Sequence, residues 1–462
     1  MRLKFRWLYG VGLAAALAGC QSYDSPFVHK SEDELEAMEA VSEQAHAAFV
    51  SGNYASADAS LNSLAAEPTV SQPLYELERV SVLLMQGKRT EAHALMLKVR
   101  EEIETLFDPQ SEEKAISIWH GENNKVFKGD SHERATLYAF LALSFMEQGE
   151  WEDAERCVKN GLLADSANTK DDRYNSDYAL LHYLGYVACM KAGRSNDAVA
   201  YRDEMVKVLS GRKLRVDAQS NAASLLSDVS LPDAFLVVWA GNPPSYVRGG
   251  EYEEIRHVVR GFTPYTFLTL DFGTAGEYMA PKWLADINYQ ATTRGGREMD
   301  TVLAHKAAVK KGMETSRNIF LVAGYACVTT VSDNLAAEAI ILGTGCTCLA
   351  IGGAFHLAGA CMNSKADIRS WRNLPGELYV IPVWTKGAKA RVCVRGYRLW
   401  DNVVSETAIL DVKPGAIMTT HCSLLPYGNP GTIVLEGLKA SVDAAEKAGK
   451  SDALRMAYEI MQ

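Results

Sequence analysis

The chain has 462 residues, with 57 acidic side chains against 47 basic ones and a net charge of −10. That length exceeds one ordinary core and predicts two or three domains at roughly 100–200 residues each. An acidic balance with no basic block after the first six residues argues against nucleic acid as a partner.

The N-terminus reads as a targeting segment. MRLKFR supplies three positive charges, WLYGVGLAAALA an apolar core, and Leu17-Ala18-Gly19-Cys20 follows at once. The apolar run is shorter than the roughly 20 residues that a membrane span needs. Leu three residues before a Cys resembles the bacterial lipobox, whose Cys thiol is acylated before the preceding peptide is removed. Residues 1–19 are therefore expected to be a lipoprotein signal peptide, Cys20 the site of lipid (palmitate) attachment, and residues 20–30 a lipidated tether. Loss of Arg2, Lys4 and Arg6 takes the net charge to −13. Gln21, rather than Asp, points to sorting to the outer membrane, facing the periplasm. The other eight cysteines sit singly in apolar segments such as YVACM and ARVCVRG, where Cys behaves as a small buried hydrophobe.

From Ser31 the chain turns Ala-rich and helical. Ser31 and Glu34 have the spacing of a capping box. Within residues 31–230 a pattern of Gly followed five residues later by Ala occurs four times, at Gly52 and Ala57, Gly87 and Ala92, Gly149 and Ala154, and Gly193 and Ala198. Gly suits the tight turn between two helices, and Ala lets the second helix approach the first. Trp151 fills the position two after Gly149, as Tyr54 does after Gly52. The copies lie 35, 62 and 44 residues apart, one spacing near the ~34-residue tetratricopeptide (TPR) period. Residues 31–230 thus look like a TPR-like helical domain.

After Ser230 the texture changes. AFLVVWAG (234–241) reads as a strand stopped by Asn242-Pro243-Pro244, residues 245–300 mix short strands with turns, and 301–362 read as helical. The last part of that helical region, AIILGTGCTCLAIGGAFHLAGACM (339–362), carries no Asp, Glu, Lys or Arg. Its length permits a bilayer span; an acylated chain bound for the outer membrane favours a buried or membrane-apposed helical hairpin instead. Beyond Pro375, ELYVIPVW, KARVCVRG, AIMTTHCSLL and TIVLEG predict a small antiparallel sheet. Residues 231–440 form the expected α+β domain, and 441–462 a C-terminal helix or tail.

Few residues suggest chemistry. Cys346, Cys348, His356 and Cys361 are metal-ligand types, but Cys-x-Cys is too tight for a structural zinc site, and one helix points these side chains in different directions. No nucleophile elbow, phosphate loop or H-E-x-x-H occurs, so no metal or cofactor is expected. Lys306, Lys310, Lys311 and Arg317 make a basic helix face.

Ala366-Asp367-Ile368-Arg369-Ser370-Trp371-Arg372-Asn373-Leu374-Pro375 resembles the A-D-x-R-S-W-x-x-L-P signature of a poorly characterised family of bacterial TPR-containing lipoproteins. Phe127-Lys128-Gly129-Asp130-Ser131-His132-Glu133-Arg134 is similar to that family's F-K-G-[ED]-x-x-E-R run. The resemblance implies a cell-envelope protein and supplies no active site. Read physically, Asp367 and Arg369 pair at a corner while Trp371 and Leu374 plug the gap between the apolar helix and the sheet.

The expected fold is α+β, an N-terminal TPR-like array followed by a mixed domain with an apolar Gly-rich helix and a small antiparallel sheet. The expected function is that of a lipid-anchored, non-enzymatic scaffold or adaptor, its TPR-like groove binding a periplasmic or membrane protein. Two alternatives stand beside it: a periplasmic enzyme with its site in residues 245–330, using Tyr246, Arg248, His257, Arg260 and Asp271, and a structural subunit of an envelope assembly or export machine.

Overall fold

The computed structural model describes residues 30–105, 126–166, 175–211, 231–262, 267–271, 277–279, 285–293, 298–329, 344, 346–354, 356, 365–383, 390–397, 403–406 and 410–421. Cys20 with the expected signal and the tether as far as residue 29, parts of the 339–362 stretch, the expected TIVLEG strand and the tail 441–462 lie outside the described residues.

Eight helices form consecutive pairs: α1 (Glu32–Val50) with α2 (Tyr54–Ala65), α3 (Gln72–Met85) with α4 (Arg89–Thr105), α5 (Ser131–Gln148) with α6 (Trp151–Ser166), and α7 (Ala179–Lys191) with α8 (Ser195–Gly211). Ser31 caps α1, its hydroxyl accepting from the Glu34 N–H while Glu34 accepts from the Ser31 N–H. Gly52, Gly87, Gly149 and Gly193 all stand in the turns within pairs with φ between 71° and 80°, a region only Gly enters without strain. Ala57, Ala92, Ala154 and Ala198 are fully buried, where a larger side chain would push the helices apart. Trp151 is half-buried, with the Lys191 ammonium 6.0 Å from its ring.

The rest of the chain is mixed. Strands β1 (Ala234–Ala240), β2 (Ser245–Gly249), β3 (Ile255–Val259), β4 (Phe267–Asp271), β5 (Glu277–Met279) and β6 (Ala285–Asp286) precede helices α9 (Ile287–Thr293) and α10 (Glu298–Thr329). Strands β7 (Glu377–Val383), β8 (Ala390–Tyr397), β9 (Val403–Glu406), β10 (Leu410–Val412) and β11 (Ile417–His421) follow. Small antiparallel sheets dominate, and β2 with β3 stands apart as a hairpin.

The single antiparallel sheet expected beyond Pro375 is divided between two: β7 and β11 lie in one sheet, β8, β9 and β10 in another. The AFLVVWA run separates β7 from β11, in the order β11-β1-β7-β6, and β1 pairs with β11 in parallel. A parallel pair needs a long crossover and cover on both faces, and β1 has both. Phe235, Val237 and Trp239 pack on the helices. Leu236, Val238 and Ala240 pack with Leu268, Leu270, Val392 and Val394 of the second sheet. Helices, mixed sheet and second sheet thus form three layers, and burial on both sides explains an apolar run with no alternation.

Candidate functional site

The seam between helices and sheet is built from the two motif runs read in the sequence. Residues 366–376 contain no helix or strand, so their main-chain polar groups need other partners. The helices provide them. The Trp371 N–H donates to Glu133 Oε1 at 2.5 Å, while the other oxygen of Glu133 accepts from the Asp130 N–H at the start of α5. The N–H groups of Arg372 and Asn373 donate to the two oxygens of Glu78 on α3, at 2.7 and 2.8 Å. His46 on α1 donates through Nδ1 to the Asn373 side-chain oxygen at 2.7 Å.

Arg369 is the second fixture. Its Nε and Nη2 donate to the two oxygens of Asp367, its Nη1 reaches the Val70 carbonyl at 3.2 Å and the Ser71 hydroxyl at 3.1 Å, and its guanidinium lies 5.7 Å from the Phe127 ring centre. Asp367 is therefore a holder of the Arg369 fork. Trp371 is almost wholly buried, edge-on to Phe140, which itself stacks on Trp239 of β1. Leu374 and Pro375 are buried beside it, and Gly376 then ties into the sheet by donating to the Gly241 carbonyl at 3.0 Å.

The expected corner is thus displaced. Asp367 and Arg369 do pair, but Trp371 and Leu374 fill a gap between the helix pairs and the sheet, not between the Gly-rich helix and the sheet. The carboxylates explain why. Three successive N–H groups that no ladder satisfies are accepted only where fixed acceptors exist, and Glu78 and Glu133 lie on α3 and α5. Together with α1 and α7, whose Tyr183 meets Phe235, the first helix of every pair faces the chain's own later half.

Burial sets the electrostatics. Glu78 is held at about 7, because loss of solvent outweighs Arg372 and the two N–H donors that favour its charged form. His46 is shifted down by burial. Asp130 and Arg256 of β3 form an ion pair at 2.8 Å with both side chains more than nine-tenths buried, and Arg256 stacks on Tyr246 at 4.1 Å. Burial drives the Tyr246 hydroxyl well above its ordinary range.

Among the described residues, the five polar candidates of 245–330 do not converge. Tyr246 is taken by Arg256, Arg248 donates to the Ala366 carbonyl, Arg260 faces Asp286 at 3.8 Å, and Asp271 pairs with Arg395 at 2.6 Å. His257 and Asp271 belong to different sheets. Among the described residues no group of three His, Cys, Asp or Glu could hold a metal; Cys361 lies outside them. Cys157, Cys189 and Cys393 are buried thiols outside any disulfide, and burial pushes Cys157 and Cys189 up to about 11. Among the described residues no helix is long and apolar enough to cross a membrane.

The partners of the signature were only half legible. Glu133 stood out as an acidic member of the Phe127–Arg134 run but not as an acceptor, and Glu78 not at all, although a carboxylate within LYELERVSVLL interrupts an apolar face and signals a buried acceptor. No family model, no curated protein and no solved structure matches the chain.

Proposed function

We propose that the protein is a non-enzymatic scaffold, lipid-anchored in the cell envelope through Cys20, that docks a protein partner on a TPR-like helical array. One observation carries the reading: the helix pairs already hold a segment without helix or strand, residues 366–376, which turns at Arg372-Asn373, in the manner of a peptide receptor. Fixed carboxylates catch its main-chain N–H groups and one aromatic side chain anchors it.

That segment is part of the same chain. Pulling Trp371 into water would expose roughly 200 Å² of apolar surface, about 5 kcal/mol, and leave two buried carboxylates without their donors. The inner face is therefore filled in cis, and the partner surface lies on the outer helices. There a cavity of about 340 Å³ opens between α4, α5 and α6, lined by Ile103, Leu137, Leu163 and Ala164 together with Arg100, Glu104 and Arg134. Leu163 is 72% exposed.

A photo-crosslinking amino acid at position 163, in cells making the full chain, tests the docking surface. A discrete protein adduct, absent with the crosslinker at Lys207 on α8, supports the reading; equal yields at the two positions overturn it. For the anchor, Cys20→Ala is expected to abolish metabolic labelling by an alkyne fatty acid.

A further inference from the structure

Among its described residues, helix α10 is covered only in part. Its middle is fixed to the β2–β3 hairpin: the Tyr252 hydroxyl donates to Glu314 at 2.6 Å, Lys311 pairs with Glu251 at 2.7 Å, and Lys310 lies 5.2 Å from the Tyr252 ring. Beyond Arg317 it meets the helical residues 346–354, which run antiparallel to it. A Cβ on Gly352 would stand 3.0 Å from the Leu321 side chain, and Arg317 Nη1 lies 3.3 Å from His356 Nδ1. The two arms touch through a glycine, the close approach typical of helices packed in lipid.

The outward side of this pair is apolar and open. Ile319 is 62% exposed, Val322 69%, Tyr325 70% and, on the other arm, Ile351 37%. The sequence adds that the described residues 318–329 and 346–354 include no Asp, Glu, Lys or Arg. A surface helix that packs on a protein keeps a polar face toward water; one apolar all round belongs inside a core or inside lipid. The root of the helix carries Lys306, Lys310, Lys311 and Arg317 against Glu314, with Glu251 of the hairpin already paired to Lys311. Basic residues at the root of an apolar helix complement anionic headgroups above a hydrocarbon layer.

We infer that the α10 pair is a membrane-contact element separate from the acyl anchor, its apolar end entering one leaflet of a bilayer with Lys311 and Arg317 at the phosphate level. Ile319 to Thr329 measure roughly 16 Å along the helix axis, against roughly 15 Å for half of the hydrocarbon core. The contact needs no helix long enough to cross. The occupant is the lipid itself: acyl chains for Ile319, Val322 and Tyr325, anionic phosphates for the basic root.

The test uses the purified full chain on vesicles of phosphatidylethanolamine containing about one quarter phosphatidylglycerol, with a photo-crosslinking amino acid at position 322 or, as control, at position 163. Any acyl or signal anchor holds both positions at the same vesicle, so the comparison reports which face meets lipid. The expected result is lipid adducts at 322 exceeding those at 163 by roughly tenfold. Equal lipid yields at the two positions, or an adduct joining two copies of the chain at 322, overturns the inference. The measurement needs no partner protein, so it succeeds or fails independently of docking on the array.

Discussion

The indole N–H of Trp371 donates to the hydroxyl of Ser81 at 2.9 Å, across 290 positions of sequence. The bond lies in the seam where α3 and α5 meet the signature segment, and both partners are buried. Trp371→Phe keeps most of the apolar volume but strands the Ser81 hydroxyl, a loss of about 1–3 kcal/mol. Trp371→Ala also removes the ring that meets Phe140 and is expected to cost about 3–5 kcal/mol. Denaturant unfolding of the two variants measures both. If the two variants cost the same, packing is not what Trp371 supplies.

The Glu78 carboxyl makes the seam sensitive to pH. Its acidity in the folded chain lies at about 7, against 4.5 for the free side chain. Between those values the folded state binds the extra proton, so this group's contribution falls as pH rises from 4.5 through 7 and is flat above. The span corresponds to about 3 kcal/mol. The charged groups facing it are Arg372, at 3.9 Å, and Glu39 on α1, with His46 linked through Asn373. Glu78→Gln removes the slope while keeping one acceptor oxygen. Its stability relative to the parent is expected to improve by about 3 kcal/mol between pH 4 and pH 8; an unchanged difference across that range would falsify the assignment.

A second buried contact joins the helix pairs to the β2–β3 hairpin. Asp130 and Arg256 are both shielded from water, and removing one partner of such a pair costs about 3–5 kcal/mol because the other charge stays behind. Arg256→Met is therefore expected to destabilise strongly, and Asp130→Asn combined with it to recover part of the loss. A double-mutant cycle by thermal or denaturant unfolding reads the coupling. Additive losses would mean that the pair contributes only through its separate neighbours.

The helix pairs were legible because their signals are local. Gly193 needs a left-handed turn and Ala198 a close helix contact, and both constraints act within a few residues of each other. The strand Ala234–Ala240 was also legible as a strand, from its β-branched apolar run. Its place was not, since the partner Ile417–His421 lies across a long excursion and nothing in either segment sets the parallel register. The same holds for the seam. Asp367 and Arg369 are two residues apart and their pairing could be read, whereas Glu78 meets Arg372 and Asn373 only after the helices and the sheet have come together.

Glycines within helices report how tightly the pairs close. A Cβ placed on Gly185 of α7 would stand 2.7 Å from the Tyr201 ring of α8, and one on Gly161 of α6 would stand 2.9 Å from Leu181. Both distances are shorter than van der Waals contact, so the neighbouring helix must shift. In an exposed helix interior, replacing Gly by Ala gains up to about 1 kcal/mol through propensity. Overpacking costs about 1–3 kcal/mol and wins here because Tyr201 is a rigid ring pinned between helices. Gly185→Ala is expected to lower the unfolding midpoint, and Tyr201→Leu to relieve part of that loss by removing the ring. Measured together by circular dichroism melts, a Gly185→Ala variant as stable as the parent would show that the helix pair has slack that this packing denies.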